Sequence, residues 1–139
     1  MSRFRYSTPI TVRFRDCDPM GHVNNAVYLT YLEVARFAYW NDVAGGREFG
    51  GISFIMARAE IDYKASAKTG DTVHVHLGIT GFGRTSFVFE YELVDQDGRL
   101  IATARTVQVM YDYAQNTSVP VLDEFRKQIN EYEGLGTGD

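Results

Sequence analysis

The sequence has little of several features that would point to a particular class of protein. Its 139 residues include a single cysteine, Cys17, so no internal disulfide can form. The net charge is -4 and no basic run is present, which argues against nucleic-acid binding. No apolar run approaches the roughly 20 residues that cross a bilayer, and the N-terminus lacks the apolar core of a secretory signal. These absences favour a cytoplasmic protein without a membrane or nucleic-acid partner.

The composition is that of a packed globular protein. Hydrophobic residues make up 45% of the chain and aromatic residues 14%, against 23% charged residues. A chain of this length can bury a substantial core as one unit. We therefore expect a single domain over residues 1–139, with its core at about 8–132 and a flexible tail over 134–139.

The apolar periodicity predicts one long helix followed by a run of strands. Residues 26–40 form the helix, which carries only two charges, Glu33 and Arg36, and should therefore be buried nearly all round. A glycine loop, a run of alternating segments and a short amphipathic helix complete the pattern. The glycines are 45, 46, 50 and 51, the strands 10–15, 53–65, 72–80, 84–94 and 99–113, and the last helix 122–132. This order predicts an α+β fold in which a curved antiparallel sheet of about five strands wraps the helix.

The most informative stretch is the acidic, glycine-containing loop that leads into the long helix at Asn25. The carboxylate of Asp18 could attack a carbonyl carbon or act as a general base towards water, although a loop aspartate can also form an Asx-turn. The first N–H groups of a helix lack partners, so the Asn25 amide could stabilise an oxyanion. Asn24 or Asn25 could equally cap the helix. The arrangement indicates a reaction centre.

Neighbouring residues offer weaker candidates. His22 could orient water or hydrogen-bond Asp18, or it could be a packing residue. Cys17 fits a small buried hydrophobe better than a nucleophile, and Asp16 fits a structural or electrostatic role better than direct chemistry.

Two further polar pairs have structural interpretations. Glu33 and Arg36 are three residues apart on one helix, so we expect them to form an ion pair. His74 and His76 share one face of a strand, but no third ligand accompanies them, so an exposed strand face is favoured over a metal site.

The loop and helix together resemble the hotdog-fold thioesterases of the 4-hydroxybenzoyl-CoA thioesterase type. The resemblance rests on Asp18, Gly21-His22-Val23, Asn25, Tyr28, Tyr31-Leu32-Glu33 and Ala35-Arg36, and it extends over roughly residues 8–132. It implies that the carboxylate of Asp18 is catalytic. It also implies that the first helical N–H polarises the thioester carbonyl and that the active sites form at a dimer interface.

The resemblance extends to the substrate. It implies that Arg84 and Thr85, in the turn that continues to Ser86, contribute to the nucleotide site of coenzyme A, although these could also be ordinary exposed turn residues. Gly21 and Tyr28 are further candidates for substrate contact, but Tyr28 fits a core residue better than pocket lining. Many family members have histidine or an aromatic residue at the position of Asn25, and isoleucine or valine at the position of His22. The His-Val-Asn-Asn version is similar to the long-chain acyl branch.

The expected function is hydrolysis of an acyl-CoA, or of an acyl-carrier-protein thioester, by a homodimer or homotetramer. The catalytic residues would be Asp18, Asn25 and His22, and the reaction would require no metal and no organic cofactor. The alternative is a noncatalytic hotdog protein that binds acyl-CoA or regulates another activity. A hydratase of the same fold is less consistent with the sequence because no Asp/His pair in the required arrangement is evident.

Overall fold

One face of a single antiparallel sheet packs against a long helix. The computed structural model describes residues 3–46 and 52–135. In chain order the elements are β1 (Tyr6–Thr11), α1 (Asn25–Asp42), β2 (Ile52–Tyr63), β3 (Thr72–Phe82), β4 (Ser86–Val94), β5 (Leu100–Asp112), β6 (Thr117–Ser118) and α2 (Asp123–Glu133). The strand order is β1-β3-β4-β5-β2, with the two-residue β6 beside β5. The predicted α+β fold is confirmed.

Most predicted elements are present within a few residues of their expected bounds, but the first strand is not. It covers Tyr6–Thr11 rather than 10–15, and Phe14–Asp16 form a short 3-10 turn instead. The Asp16 carboxylate accepts a hydrogen bond from the Arg13 N–H at 3.0 Å, which turns the chain where the alternating pattern predicted extension. The predictions for Gly50, Gly51 and residues 136–139 lie outside the described residues.

The prediction that α1 is buried nearly all round is wrong. The face turned to the sheet is buried, whereas Leu29, Val34 and Phe37 on the other side are exposed, Phe37 by 68%. The sheet supplies only one covering layer, so one apolar stripe of the helix remains uncovered within a single chain.

β2 is a long strand at the edge of the sheet. Its 12 residues pair with β5 on one side only. Ile55 and Met56 are exposed, and a register shift between Met56 and Arg58 leaves Ala57 as an extra residue in the strand. A long edge with unpaired backbone groups can pair with another strand.

The end of α1 that lies far from the acidic loop holds a half-buried carboxylate from α2. Tyr39 donates its hydroxyl to the Glu133 Oε2 atom at 2.5 Å, and the Ile79 N–H donates to the same oxygen at 3.2 Å. Gly78 leaves the space for this carboxylate, because a Cβ atom there would stand 2.8 Å from Oε2. The carboxylate therefore joins α2 to both α1 and β3.

Glu133→Gln is expected to flatten the pH dependence of stability between mildly acidic and neutral pH. Burial raises the pKa of Glu133 above its ordinary value of 4.5, although the bonds from Tyr39 and Ile79 act in the opposite direction. A carboxyl with a raised pKa contributes stability that is present below the ordinary pKa and is lost as pH rises through the raised pKa. The amide oxygen of the variant still accepts from Tyr39 and Ile79 but does not titrate.

The measurement is the free energy of unfolding in urea at several pH values for the wild type and Glu133→Gln. Glu131→Gln, at an exposed site in α2, is the matched control. We expect the wild type to lose more stability than Glu133→Gln as the pH rises from about 4.5 to about 7. Parallel profiles would contradict this role of Glu133.

Candidate active site

A tight turn brings the acidic loop back to the start of α1. The Asp18 N–H donates to the His22 carbonyl at 2.9 Å, and the Gly21 N–H donates to the Asp18 carbonyl at 2.9 Å. Gly21 has a φ of 83°, a conformation that is strained for residues with a side chain. The turn fixes the backbone of Asp18 a short distance before the helix begins.

The two carboxylate oxygens of Asp18 have different surroundings. Oδ1 accepts the N–H groups of Met20 at 2.9 Å and His22 at 3.3 Å, which is an Asx-turn. Within the described part of the chain, no group donates to Oδ2. The Asx-turn that the sequence offered for Asp18 is therefore present on one oxygen, and it leaves the other oxygen without a donor from the described residues.

The two asparagines at the helix start divide the capping and donor roles. Asn24 is the N-cap, because its side-chain oxygen accepts the Ala26 N–H at 2.9 Å and its carbonyl accepts the Val27 N–H at 2.8 Å. Asn25 is the first helical residue, and its N–H has no acceptor among residues 3–46 and 52–135. This free donor lies at the positive end of the helix dipole, where it favours a negative oxygen.

Asp18 and Asn25 both border one open pocket of about 300 Å³, a volume within the range of small-molecule sites. Its lining is Asp18, His22, Val23, Asn25, Tyr28, Tyr63, Lys64, Ala65 and Ser66. Four of the residues singled out from the sequence, Asp18, His22, Asn25 and Tyr28, thus lie around one pocket. Gly21 lies in the turn beside it but is not part of the lining.

The segment that follows β2 supplies the second wall, and sequence reasoning missed it. The Tyr63 hydroxyl donates to the Asn25 carbonyl at 3.0 Å, which ties the end of β2 to the first turn of α1. The buried Tyr28 hydroxyl accepts the Ala67 N–H at 3.4 Å, and burial raises the pKa of Tyr28. Only the pairing of distant elements places this wall, so no local motif could have revealed it.

Asp16 anchors the loop from beneath. Its buried carboxylate forms an ion pair with Arg13 at 3.0 Å and accepts the Tyr31 hydroxyl at 2.8 Å. Burial alone would raise the pKa of Asp16, but the bonds from Arg13 and Tyr31 outweigh it and hold the pKa below its usual value. The ionised carboxylate joins the loop to α1, in agreement with the structural role predicted for Asp16.

Tyr31→Phe is expected to lower the free energy of unfolding by about 1–2 kcal/mol, because it removes one of the donors to a buried carboxylate. Differential scanning calorimetry or urea titration measures the loss. Tyr6→Phe is the control, since the Tyr6 hydroxyl bonds the exposed Asp42 and its removal should cost less than about 1 kcal/mol. Equal losses in the two variants would show that Asp16 does not anchor the loop.

The remaining candidates near the loop differ in their access to the pocket. His22 is exposed, and its imidazole makes no hydrogen bond to any residue that the structure describes. Cys17 is partly buried against the core, its thiol lies 3.3 Å from the Thr69 hydroxyl, and it does not line the pocket.

The histidine pair lies on the other face of the sheet. His74 and His76 alternate with the buried Val73, Val75 and Leu77 of β3, so they point away from the core. Across the described ranges, no three His, Cys, Asp or Glu side chains are grouped so that they could hold a metal ion.

The turn predicted to bind nucleotide lies at the opposite end of the strands from Asp18. Arg84 and Thr85 precede β4, and Ser86 pairs with Val109. The pocket lies at the other end of β5, where Ala102 pairs with Tyr63. β4 is nine residues long, which corresponds to roughly 30 Å, so one chain does not bring this turn to the pocket.

The predicted ion pair between Glu33 and Arg36 is wrong. Glu33 is exposed, whereas Arg36 is only 8% exposed and donates to the Tyr91 hydroxyl at 3.1 Å. Arg36 is turned into the interior, where the Tyr91 hydroxyl accepts its hydrogen bond, and Glu33 stays at the surface.

No helix in the described part of the chain is both long and apolar enough to cross a membrane.

Comparison with known proteins points to one family. The model of the thioesterase-like superfamily matches residues 12–129. The long-chain acyl-CoA thioesterase FadM of Escherichia coli (strain K12) is 25% identical over 130 residues, which cover 89% of this chain and 96% of FadM. The putative acyl-CoA thioesterase YneP of Bacillus subtilis (strain 168) is 28% identical over 126 residues, which cover 88% of each chain.

A solved structure is also similar over the whole length. It is a thioesterase of Thermus thermophilus complexed with coenzyme A and Zn, with a TM-score of 0.84 and 33% identity. The alignment covers 99% of this chain and all of that chain.

Proposed function

The chain belongs to the thioesterase-like superfamily, and we propose that it hydrolyses the thioester bond of an acyl-CoA in the pocket between the acidic loop and α1. The observation that carries the proposal is the presence of two unsatisfied groups at one pocket. They are the Asp18 Oδ2 atom and the Asn25 N–H. A base or nucleophile beside an oxyanion donor is what acyl transfer requires.

The thioester carbonyl oxygen binds the Asn25 N–H, which stabilises the negative charge that develops on that oxygen. In one route Asp18 removes a proton from water as the hydroxyl oxygen bonds to the carbonyl carbon. The tetrahedral intermediate then breaks its C–S bond, and the thiolate takes the proton from Asp18. The products are the free acid and coenzyme A, and these steps use neither a metal nor an organic cofactor.

In the second route the Asp18 Oδ2 atom attacks the carbonyl carbon and forms a mixed anhydride with loss of the thiolate, and water then hydrolyses the anhydride. A single turnover in ¹⁸O-labelled water separates the two routes. Label in the Asp18 carboxylate identifies the nucleophilic route, and label confined to the product acid favours the general base. Exposed His22 remains a candidate for orienting the water in either case.

The working unit is a homo-oligomer in which β2 pairs with its own copy across a two-fold axis. The open edge of β2 supports this pairing, and the uncovered apolar residues of α1 offer a further contact for a dimer or a dimer of dimers. An antiparallel pair places the Ile52 end of one β2 beside Tyr63 of the other.

This assembly would restore the predicted role of the Arg84 turn. The turn lies at the same end of the sheet as Ile55, because Ser86 pairs with Val109 and Val109 pairs with Ile55. In the dimer, the turn of the partner subunit would therefore stand about three strand spacings, roughly 15 Å, from the pocket. Arg84, Thr85 and Ser86 of the partner subunit could bind the phosphates of coenzyme A, which lie at the far end from the carbonyl.

Hydrolysis of a panel of acyl-CoAs with short, medium, long, branched and aromatic acyl groups tests the proposal, with free thiol as the readout. Acyl-carrier-protein thioesters of the same acids identify the carrier. We expect enzyme-dependent thiol release from at least one acyl group. Binding of several acyl-CoAs without any release would overturn hydrolysis in favour of a binding protein.

A further inference from the structure

A buried polar cluster lies beneath α1, outside the pocket already described. Arg36 of α1 donates to the Tyr91 hydroxyl at 3.1 Å, and this hydroxyl lies 2.5 Å from the Thr106 hydroxyl. The Gln108 side-chain N–H donates to the Thr106 hydroxyl at 2.7 Å. Arg36 is 8% exposed, and Thr106 and Gln108 are fully buried.

This cluster is incomplete in two respects. The Gln108 Oε1 atom is buried without a hydrogen-bond partner. Exchanging the oxygen and nitrogen of the amide would leave the nitrogen unpaired instead, so one polar atom lacks a partner in either orientation. The Arg36 guanidinium has five N–H groups, yet no carboxylate of the described residues pairs with it. A buried cation without a counter-ion is costly, which indicates that an anionic group binds there.

An apolar strip of the sheet connects this cluster to the pocket. Directly paired residues of antiparallel strands share a face, so Ala59, Ile61 and Ala104 lie on the helix side of β2 and β5 together with Thr106 and Gln108. Ala59 is exposed, while Ile61 and Ala104 are only partly buried. These residues form an apolar strip that α1 covers only in part. The strip runs from Tyr63 in the pocket wall to Thr106, whose hydroxyl bonds the Tyr91 partner of Arg36.

We infer that the acyl group lies along this strip and that Arg36, with Gln108, binds a carboxylate at the far end of that group. The inference rests on the proposed function and narrows its substrate class to acyl-CoAs that carry a terminal carboxylate. The Arg36 fork offers paired N–H donors for the two carboxylate oxygens. The Gln108 amide can supply another donor in its exchanged orientation.

The spacing along α1 sets the length of the acyl group. Asn25 and Arg36 are 11 residues apart in the sequence, which corresponds to roughly 16 Å along a helix. Helical side chains lean towards the N-terminus, so the guanidinium lies closer to the Asn25 amide than its backbone does. The span suits an acyl group of medium length and is too short for a fully extended long chain.

The test compares octanedioyl-CoA, which has a free terminal carboxylate, with octanoyl-CoA of equal length. We expect kcat/KM to be at least about tenfold higher for octanedioyl-CoA with the wild type, the effect of one good charge-assisted contact. Arg36→Met should lower kcat/KM for octanedioyl-CoA at least about tenfold while changing that for octanoyl-CoA by less than about threefold. Arg36→Lys should restore part of the preference, since it restores the positive charge.

Gln108→Leu provides a second test that does not depend on the folding of the Arg36 variants, and it should also reduce the ratio of the two kcat/KM values. Gln128→Leu is the matched control, because Gln128 likewise has a buried side-chain oxygen without a partner but lies in α2. In Gln128→Leu the ratio of kcat/KM for octanedioyl-CoA to that for octanoyl-CoA should equal the wild-type ratio.

Two kinds of result separate the inference from the proposed function. Equal rates for the two substrates, or equal losses on both in Arg36→Met, would overturn carboxylate recognition and leave hydrolysis intact. Equal losses would indicate that Arg36 acts through its buried bond to Tyr91 and not through the substrate. Failure to hydrolyse either substrate or any other acyl-CoA would overturn the proposed function itself.

Discussion

Asp18→Asn is expected to lower kcat for acyl-CoA hydrolysis at least about a hundredfold, the usual contribution of a general base or nucleophile. The amide oxygen of the variant can still accept the Met20 and His22 N–H groups, so the turn is retained. The variant lacks the negative oxygen that activates water or attacks the carbonyl. Steady-state thiol release measures the loss, and Asp18→Ala should lose as much activity and also weaken the turn.

The matched control is Asp62→Asn, at an exposed aspartate near the end of β2, which should keep wild-type activity. Binding of coenzyme A, measured by calorimetry, should be similar in Asp18→Asn and the wild type, because the proposed phosphate site lies far from Asp18. Turnover retained in Asp18→Asn would place the chemistry on another residue.

Ala57→Asp is expected to convert the proposed oligomer into monomers and to reduce kcat/KM at least about tenfold. Ala57 is the extra residue in the middle of β2, so it would lie near the two-fold axis of the proposed dimer. A carboxylate there would face its own copy, and like charges on adjoining edges oppose pairing. Loss of the partner would also remove Arg84 of the partner subunit, a contact of about 1.5–3 kcal/mol if it is charge-assisted.

Light scattering coupled to gel filtration measures the mass, and thiol release measures the activity of the same samples. Thr117→Asp, at an exposed residue of β6, is the control and should remain oligomeric and active. A fully active monomer would contradict the shared active site, and an oligomer that survives Ala57→Asp would place the interface elsewhere.

The order of helices and strands can be predicted from the sequence because turns, caps and alternating patterns are local features. The turns at residues 69–71 and 95–98 separate alternating segments, and the structure has strands on both sides of each turn. The helix start is likewise predictable, since asparagine is a common N-cap and Asn24 caps α1. The exposed stripe of α1 was not predictable, because composition does not reveal how many layers cover a helix.

Part of the candidate site could likewise be predicted from the sequence, and part could not. Asp18, His22 and Asn25 belong to one continuous segment, so their proximity follows from the sequence. Tyr63 reaches the site only because β2 pairs with β5 and ends beside the helix start. The pairing expected for Arg36 failed because helix spacing does not specify which side chain faces the sheet, where the Tyr91 hydroxyl supplied a buried partner.

The most direct test of the account is a crystal structure of Asp18→Asn soaked with an acyl-CoA that the wild type hydrolyses. We predict that the thioester carbonyl oxygen lies about 2.7–3.1 Å from the Asn25 amide nitrogen, the distance expected for an oxyanion donor. The carbonyl carbon should face the side chain at position 18. A carbonyl that binds elsewhere, with the Asn25 N–H bonded to water or protein, would contradict the proposed active site.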